Sequence, residues 1–211
     1  MTVKAILFDF DGVIVESVNV KTEAFRELFA DEAEHLPAIL SFHLANGGMS
    51  RFTKFEIIYR DILNRPLSVQ KSKKLGDRFS ELAKEKVVTS QNVPGALDFI
   101  EKYASSIPLF IASGTPHSEL TEILSRRNLD SFFCEAHGTP RTKTEIIRDI
   151  LKRHHMTPDQ MPFIGDAIND YKAAVQAGLS FYGRVPVGDA NPFPPDISVF
   201  PDLTELEHYI F

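Results

Sequence analysis

The sequence predicts an α/β fold: a Rossmann-like, doubly wound parallel sheet with an inserted all-helical domain. Three observations predict it. From Pro94 onward, short apolar runs alternate with amphipathic helical stretches, the pattern that repeated βα units impose on a parallel sheet. Near the start, Ile6-Leu7-Phe8 is an apolar run suited to the middle of such a sheet, and Asp9 and Asp11 follow where it ends. Between these two regions, residues 17–88 show helical periodicity and no strand pattern.

Taken in order, Lys4 to Val13 forms the first strand and its exit, with Gly12 allowing a sharp turn. Side chains two apart on extended chain share a face. Both carboxylates therefore point into the crevice at the strand's C-terminal end, where open α/β sheets hold ligands. Two anions this close require a cation or a shared proton. Val18, Phe25, Leu28 and Phe29 mark a helix from Ser17 to Ala30. Phe52, Phe55, Tyr59, Ile62 and Leu63 mark a second, ended by Pro66, and Leu75, Phe79, Leu82 and Ala83 a third. His43 to Arg51 reads as a loop turned by Gly47-Gly48. The domain division is thus residues 1–16 and 89–211 for the core and 17–88 for the insertion.

Pro94-Gly95 opens a helix. Strands are expected at 107–112, 132–136, 162–165 and 179–183, with helices at 116–127, 143–155 and 168–177 between and after them. Gly178 suits a helix C-cap. Residues 185–201 hold five prolines and read as irregular chain before a last short helix.

Composition narrows the chemistry. The 211 residues are 43% hydrophobic and carry a net charge of -6, which argues against nucleic acid as a partner, since phosphate backbones reward basic surfaces. The one cysteine, Cys134, cannot form an internal disulfide and reads as a buried apolar residue. No run suits a signal peptide or a membrane span, so a soluble cytoplasmic protein is expected.

Polar residues cluster at each strand end. Ser113-Gly114-Thr115-Pro116 reads as the cap and first turn of a helix, whose N–H groups with the Ser113 hydroxyl suit a phosphate-sized anion. Thr142-Lys143-Thr144-Glu145 has capping-box spacing, which puts Lys143 in a first helical turn where an anion should offset it. In Gly165-Asp166-Ala167-Ile168-Asn169-Asp170, two carboxylates one turn apart can approach one cation. Carboxylate donors favour Mg²⁺; zinc would want histidine or thiolate. His154-His155 suits a helix end without a metal, and Lys71, Lys73, Lys74 and Arg78 read as a solvated face.

In this order the motifs resemble the haloacid dehalogenase (HAD) superfamily of aspartate-nucleophile phosphotransferases. Asp9-Phe10-Asp11-Gly12-Val13 looks like its first motif, Ser113 its second, Lys143 its third, and Gly165-Asp166 with Asp170 its fourth. The helical insertion resembles the α-helical C1 cap of the β-phosphoglucomutase and phosphoglycolate-phosphatase branch. The resemblance implies a Mg²⁺-dependent phosphatase of a small phosphorylated metabolite. In it Asp9 would be the nucleophile, Asp11 the general acid/base and Lys143 the charge neutraliser. Ser113, Gly114 and Thr115 would bind phosphate, and Asp9, the Asp11 carbonyl, Asp166 and Asp170 would serve the metal. Arg51 resembles a cap arginine that reaches the substrate's far end; His43, Asn46 and Lys54 are further candidates of that kind. Asp11 points to phosphate esters, because the dehalogenases lack an acid there. Lys21 stands where mutase relatives tend to have histidine, and Thr144 where proline is common, so a phosphatase is favoured over a sugar-phosphate mutase. A non-catalytic scaffold is the remaining alternative.

Overall fold

The computed structural model describes residues 3–211. Its sheet has six parallel strands in the order β3-β2-β1-β4-β5-β6. They are β1 (Ile6–Phe8), β2 (Leu109–Pro116), β3 (Glu135–Thr139), β4 (Phe163–Gly165), β5 (Phe181–Arg184) and β6 (Val199–Phe200). The chain order reverses on either side of β1, which makes its C-terminal end the switch point where a crevice opens. Ile6, Leu7 and Phe8 are fully buried because the central strand is covered on both faces. Ile6 and Phe8 pack into one apolar cluster with α5 (Ala96–Tyr103) and α6 (His117–Arg126), and Leu7 into another with α7 (Lys143–Arg153) and α8 (Ile168–Ala177).

Residues between β1 and α5 form the helical block: α1 (Val18–Leu28), α2 (Leu36–Ala45), α3 (Arg51–Ile57), a π-type turn at Ile58–Ile62, and α4 (Val69–Thr89). The block has its own apolar cluster, in which Phe25, Ile39, Phe55, Ile58 and Phe79 are buried together. The chain enters and leaves it through two antiparallel segments: Glu16 N donates to Gln91 O at 2.9 Å and Val93 N to Ile14 O at 3.0 Å.

Several local expectations change. α2 spans part of what reads as loop, so His43 lies on a helix; Leu36 to Leu44 is apolar nearly all round, which hides the period. β2 runs through Ser113, Gly114 and Thr115 with a register shift, and α6 starts only at His117. Thr115 is therefore not a helix cap. β3 begins three residues later than expected, after a 3₁₀ turn at Asp130–Phe132, and Cys134 is exposed. The proline-rich tail supplies β6. The capping box at Thr142/Glu145 and the left-handed Gly178 cap form as the sequence predicts. Among the described residues, no helix is long and apolar enough to cross a membrane.

Candidate active site

At the C-terminal end of β1 lies a cavity of about 760 Å³, within the size range of small-molecule sites. The strand ends form its floor and the helical block its roof. Asp9 continues β1, its N–H donating to Ile164 O at 2.9 Å. Gly12, at φ +79°, then turns the chain; a Cβ there would lie 2.2 Å from Asp166 Oδ2. The glycine seen in the sequence thus serves the turn and the approach of a carboxylate together.

Three acids and one lysine make the centre, with Asp9, Asp170 and Lys143 buried and Asp166 half-buried. Lys143 Nζ donates to Asp170 Oδ1 at 2.5 Å and lies 2.7 Å from Asp9 Oδ1. The bond to Asp170 is the better directed of the two, and Lys143 reaches Asp9 as an ion pair. Asp170 is fully buried, and its other oxygen accepts from the Ala167 N–H at 3.2 Å. Burial pushes the Asp9 carboxyl up to about 7; Lys143 pulls it down, while Asp170 and Asp11 push it further up. Asp166 is raised by burial and by the charges of Asp9 and Asp170. Burial disfavours the Lys143 ammonium, but Asp170 and Asp9 outweigh it and its pKa is raised.

Asp11 has a different environment on the cavity wall. Its oxygens accept from the Ser17 hydroxyl at 2.6 Å, from the Thr115 hydroxyl at 3.0 Å and from the Lys21 ammonium. Burial raises its pKa, but Lys21 and these hydrogen bonds win and hold it below the usual carboxylate value. Two acids two residues apart are thus driven in opposite directions: burial disfavours the charge on Asp9, which a cation beside it would restore, whereas Lys21 favours the charge on Asp11.

The donor set fits a hard divalent cation. Oxygens of Asp9, Asp166 and Asp170 lie within 4.8 Å of one another, and the carboxyls of Asp9 and Asp166 are raised by burial and by neighbouring carboxylates. Mg²⁺ takes oxygen ligands of this type.

A scan against protein-family models matches residues 3–178 to the haloacid dehalogenase-like hydrolases. The chain belongs to that family. Several proteins resemble it along most of their length. A phosphorylated carbohydrates phosphatase of Thermotoga maritima is 26% identical over 192 residues, covering 86% of this chain and 85% of the relative. A phosphoglycolate phosphatase of Aliivibrio fischeri is 24% identical over 208 residues, covering 90% of each. A hydrolase from Pseudomonas syringae shares the fold with a TM-score of 0.81 at 19% identity, covering 98% of this chain and 97% of that one.

Within this haloacid dehalogenase-like scaffold, Asp9, Asp11, Gly114, Thr115 and Asp166 line the cavity. Ser113 and Lys143 border a neighbouring pocket on the far side of Gly48. Ser113 Oγ accepts from the Thr115 N–H at 3.1 Å. Thr115 was read as a helix cap and instead holds Asp11. Arg51 lines the cavity, yet its two terminal nitrogens donate to Glu119 of α6 at 2.6 and 3.0 Å, one of them also to Ser80 at 2.7 Å. That commitment differs from the expectation that it faces substrate. Gly48, read as a turn glycine, has φ +72°, and a Cβ on it would meet Asp170 Oδ1 at 2.9 Å. The loop backbone lies directly on the catalytic floor.

Two residues escaped the sequence. Arg184 forks onto Glu16 at 2.6 and 3.0 Å and donates to Gly12 O at 3.3 Å, bracing the turn after β1. Its place at the end of a strand was the available signal. Glu119 sits on a helix face with nothing in the sequence to connect it to Arg51.

Proposed function

We propose that this protein is a phosphatase that hydrolyses a small phosphorylated metabolite through an aspartyl-phosphate on Asp9. The observation that carries the reading is the convergence on one cavity: Asp9, paired with the Lys143 ammonium beside Asp166 and Asp170, and Asp11 facing it from the wall. Asp9 attacks phosphorus and the bond to the ester oxygen breaks, while Asp11 gives that oxygen its proton. Water then attacks phosphorus, Asp11 takes its proton, and the Asp9–phosphorus bond breaks to release phosphate.

Lys143, fixed by Asp170, neutralises the nucleophile and the phosphoryl oxygens. Ser113 and the main chain at Gly114 bind those oxygens, with the Thr115 N–H fixing the Ser113 hydroxyl. Asp9, Asp166 and the Asp11 carbonyl would hold Mg²⁺, with Asp170 beside them, and the ion would supply further charge neutralisation. Positioning and neutralisation are what phosphoryl transfer asks of a protein. The helical block excludes bulk water during the first transfer.

Relatives named as phosphatases of phosphorylated carbohydrates and of phosphoglycolate support the substrate class. Lys21, on Asp11 at a place where mutase relatives tend to have histidine, supports hydrolysis over isomerisation. Phosphate release from p-nitrophenyl phosphate and a panel of phosphorylated metabolites, with Mg²⁺ and with chelator, tests the proposal. Mg²⁺-dependent release that an acid-stable phosphoenzyme accompanies is expected. Isomer interconversion without release would replace the phosphatase with a mutase, and no turnover of any ester would leave only a scaffold.

A further inference from the structure

Away from the catalytic cavity, at the edge of the sheet, β3 meets the end of α7. One ligand atom each from Cys134, Glu135 and His154 lies there within 4.8 Å of the others. In sequence Cys134 reads as a buried apolar residue and His154 as a helix end. The fold instead exposes the thiol and brings the imidazole beside it. Each donor sits on fixed backbone. The Cys134 N–H donates to Leu109 O at 2.8 Å, which ties it to β2. Glu135 opens β3 in register with Phe110. His154 caps α7, its N–H donating to Ile150 O at 2.9 Å, and its ring meets that of the buried Phe110 edge-on, with centroids 4.9 Å apart. His154 Nε2 lies 2.7 Å from Glu135 Oε1, and His137 Nε2 lies 2.7 Å from Glu135 Oε2.

Thiolate sulfur, imidazole nitrogen and carboxylate oxygen suit a borderline-soft divalent ion, unlike the carboxylate oxygens of the floor. Tetrahedral ligands of such an ion stand about 3.4–3.8 Å apart. The widest pair here has about 1 Å to close, and the His154–Glu135 contact has slightly less to open. The fourth position falls to His137 or to water. Arg153 competes for the carboxylate. It forks onto Glu135 through both terminal nitrogens at 2.5 Å and, with His154 and His137, holds that carboxyl well below the usual carboxylate range. Its Nε also donates to Asp149 at 3.0 Å, so an ion that takes Glu135 leaves the guanidinium a second carboxylate. The Arg153 side chain is 42% exposed, and ion pairs this open to water contribute little.

We propose that Cys134, Glu135 and His154 form a second metal site, which takes Zn²⁺ or a similar borderline-soft divalent cation and is separate from the hard-cation centre at Asp9. As the metal bonds form, the Cys134 thiol gives up its proton to solvent and the His154 ring binds as the neutral imidazole. The ion ties the edge strand β3 to the far end of α7, the helix whose first residue is Lys143. Along that helix the two sites are about 16 Å apart. The ion therefore braces the unit that carries the catalytic lysine without touching the floor, and the site stands whether or not the floor hydrolyses esters.

The test titrates the protein, held in excess Mg²⁺, with Co²⁺ as the spectroscopic probe and Zn²⁺ as its competitor. One Co²⁺ per chain should bind with the charge-transfer absorption of a cobalt–thiolate bond, and Zn²⁺ should displace it. Cys134→Ser should abolish that absorption. His154→Gln should weaken Zn²⁺ binding by about tenfold or more, since one of three protein ligands is lost. Arg153→Gln should bind Zn²⁺ more tightly, because the competitor for Glu135 is gone. Zn²⁺ should raise the melting temperature of the wild-type protein and not that of His154→Gln, and circular dichroism checks that each variant is folded. Absence of the thiolate absorption at one equivalent in the wild-type protein overturns the inference without reference to any variant. Unchanged Zn²⁺ affinity in a folded His154→Gln overturns it too, since a lone thiol would then be the ligand. So does unchanged affinity in Arg153→Gln, which would take Glu135 out of the set, and so does one ion per two chains, which would put Cys134 in a bridge between copies.

Discussion

Floor and roof of the cavity carry opposite charge surpluses. Asp9, Asp11 and Asp166 face it from the floor, with Asp170 buried behind them and Lys143 as the lysine of the group. From the helical block the ionisable side chains that line it are Lys21, His43, Arg51 and Lys54, and none is acidic. On the proposed reading the floor holds a cation and attacks phosphorus, and the roof faces the rest of the ester. Neither surplus is balanced within its own layer. On that reading the difference teaches that chemistry and selectivity are separately encoded: one in the strand ends, the other in which helix faces turn downward.

The largest expected effect breaks the floor alone. Asp9→Asn should lower kcat for any phosphomonoester by about 10⁴-fold or more, since a nucleophile is lost and the remaining groups act as a unit. The fold should persist, because the change removes a carboxyl that burial disfavours. Circular dichroism with a phosphate-release assay checks both. Near-normal activity in Asp9→Asn would dismantle the mechanism.

The seam between the layers comes next. Arg51 is 5% and Glu119 9% exposed, a buried pair bridging α3 to α6. Arg51→Met leaves Glu119 charged and unpaired, and should cost about 3 kcal/mol of stability. Replacing both, as Arg51→Met with Glu119→Leu, should recover most of it, because a buried apolar pair substitutes well for a buried ionic one. Denaturant unfolding of the two singles and the double measures the coupling. If Arg51 instead served the substrate, the double variant would regain stability yet lose the best ester far more than p-nitrophenyl phosphate.

A third effect concerns the floor's crowded acids. Asp9, raised to about 7, and Asp166, raised well above its ordinary value, bind protons more tightly folded than unfolded. The Asp9 contribution to stability is full below the unfolded value near 4 and is lost as pH rises through about 7, and that of Asp166 has the same sign. Metal-free protein should therefore melt lower at about pH 8 than at about pH 5, and the gain from Mg²⁺ should grow over that range as Asp9 ionises. An equal Mg²⁺ gain at both pH values would show that these acids are not its ligands. Asp166→Asn should flatten the metal-free slope.

The two layers also differ in how much of each was legible. At the floor, strand ends fix where a side chain goes. Asp9, Asp11, Lys143, Asp166 and Asp170 could therefore be read from their order, and the structure gathers them as that order implies. Ser113 to Pro116 was located but misassigned, because an irregular extension of β2 looks in sequence like a helix start. In the roof, function depends on helix rotation and on contacts between segments far apart. Arg51 and Lys54 lie three residues apart on α3, and the sequence favoured Arg51. Glu119, 68 residues further on, is what takes Arg51 up, and His43, on a helix whose apolar sequence hid its period, is what seats Lys54. Such pairings have no local signature.

Lys21 is where the layers meet, and it sets the smallest effect. It rises from α1 to place its ammonium on Asp11 Oδ2 and, at 2.8 Å, on Thr115 Oγ1. Burial favours protonated Asp11, and Lys21 is the largest influence opposing it. Removing the charge with Lys21→Met should therefore raise the Asp11 pKa while leaving the Ser17 and Thr115 hydrogen bonds available. Expulsion of the alcohol needs the protonated form and activation of water the ionised form. The limb of the pH–rate profile that reports loss of the acid should accordingly move to higher pH, by about one unit on the scale of a single nearby charge. Esters with poor leaving groups should show the shift, whereas p-nitrophenyl phosphate, which leaves without protonation, should show little of it. A shift of equal size with both would mean that Lys21 acts on Asp9 or on phosphate binding, and the roof would then have a direct role in the floor's chemistry.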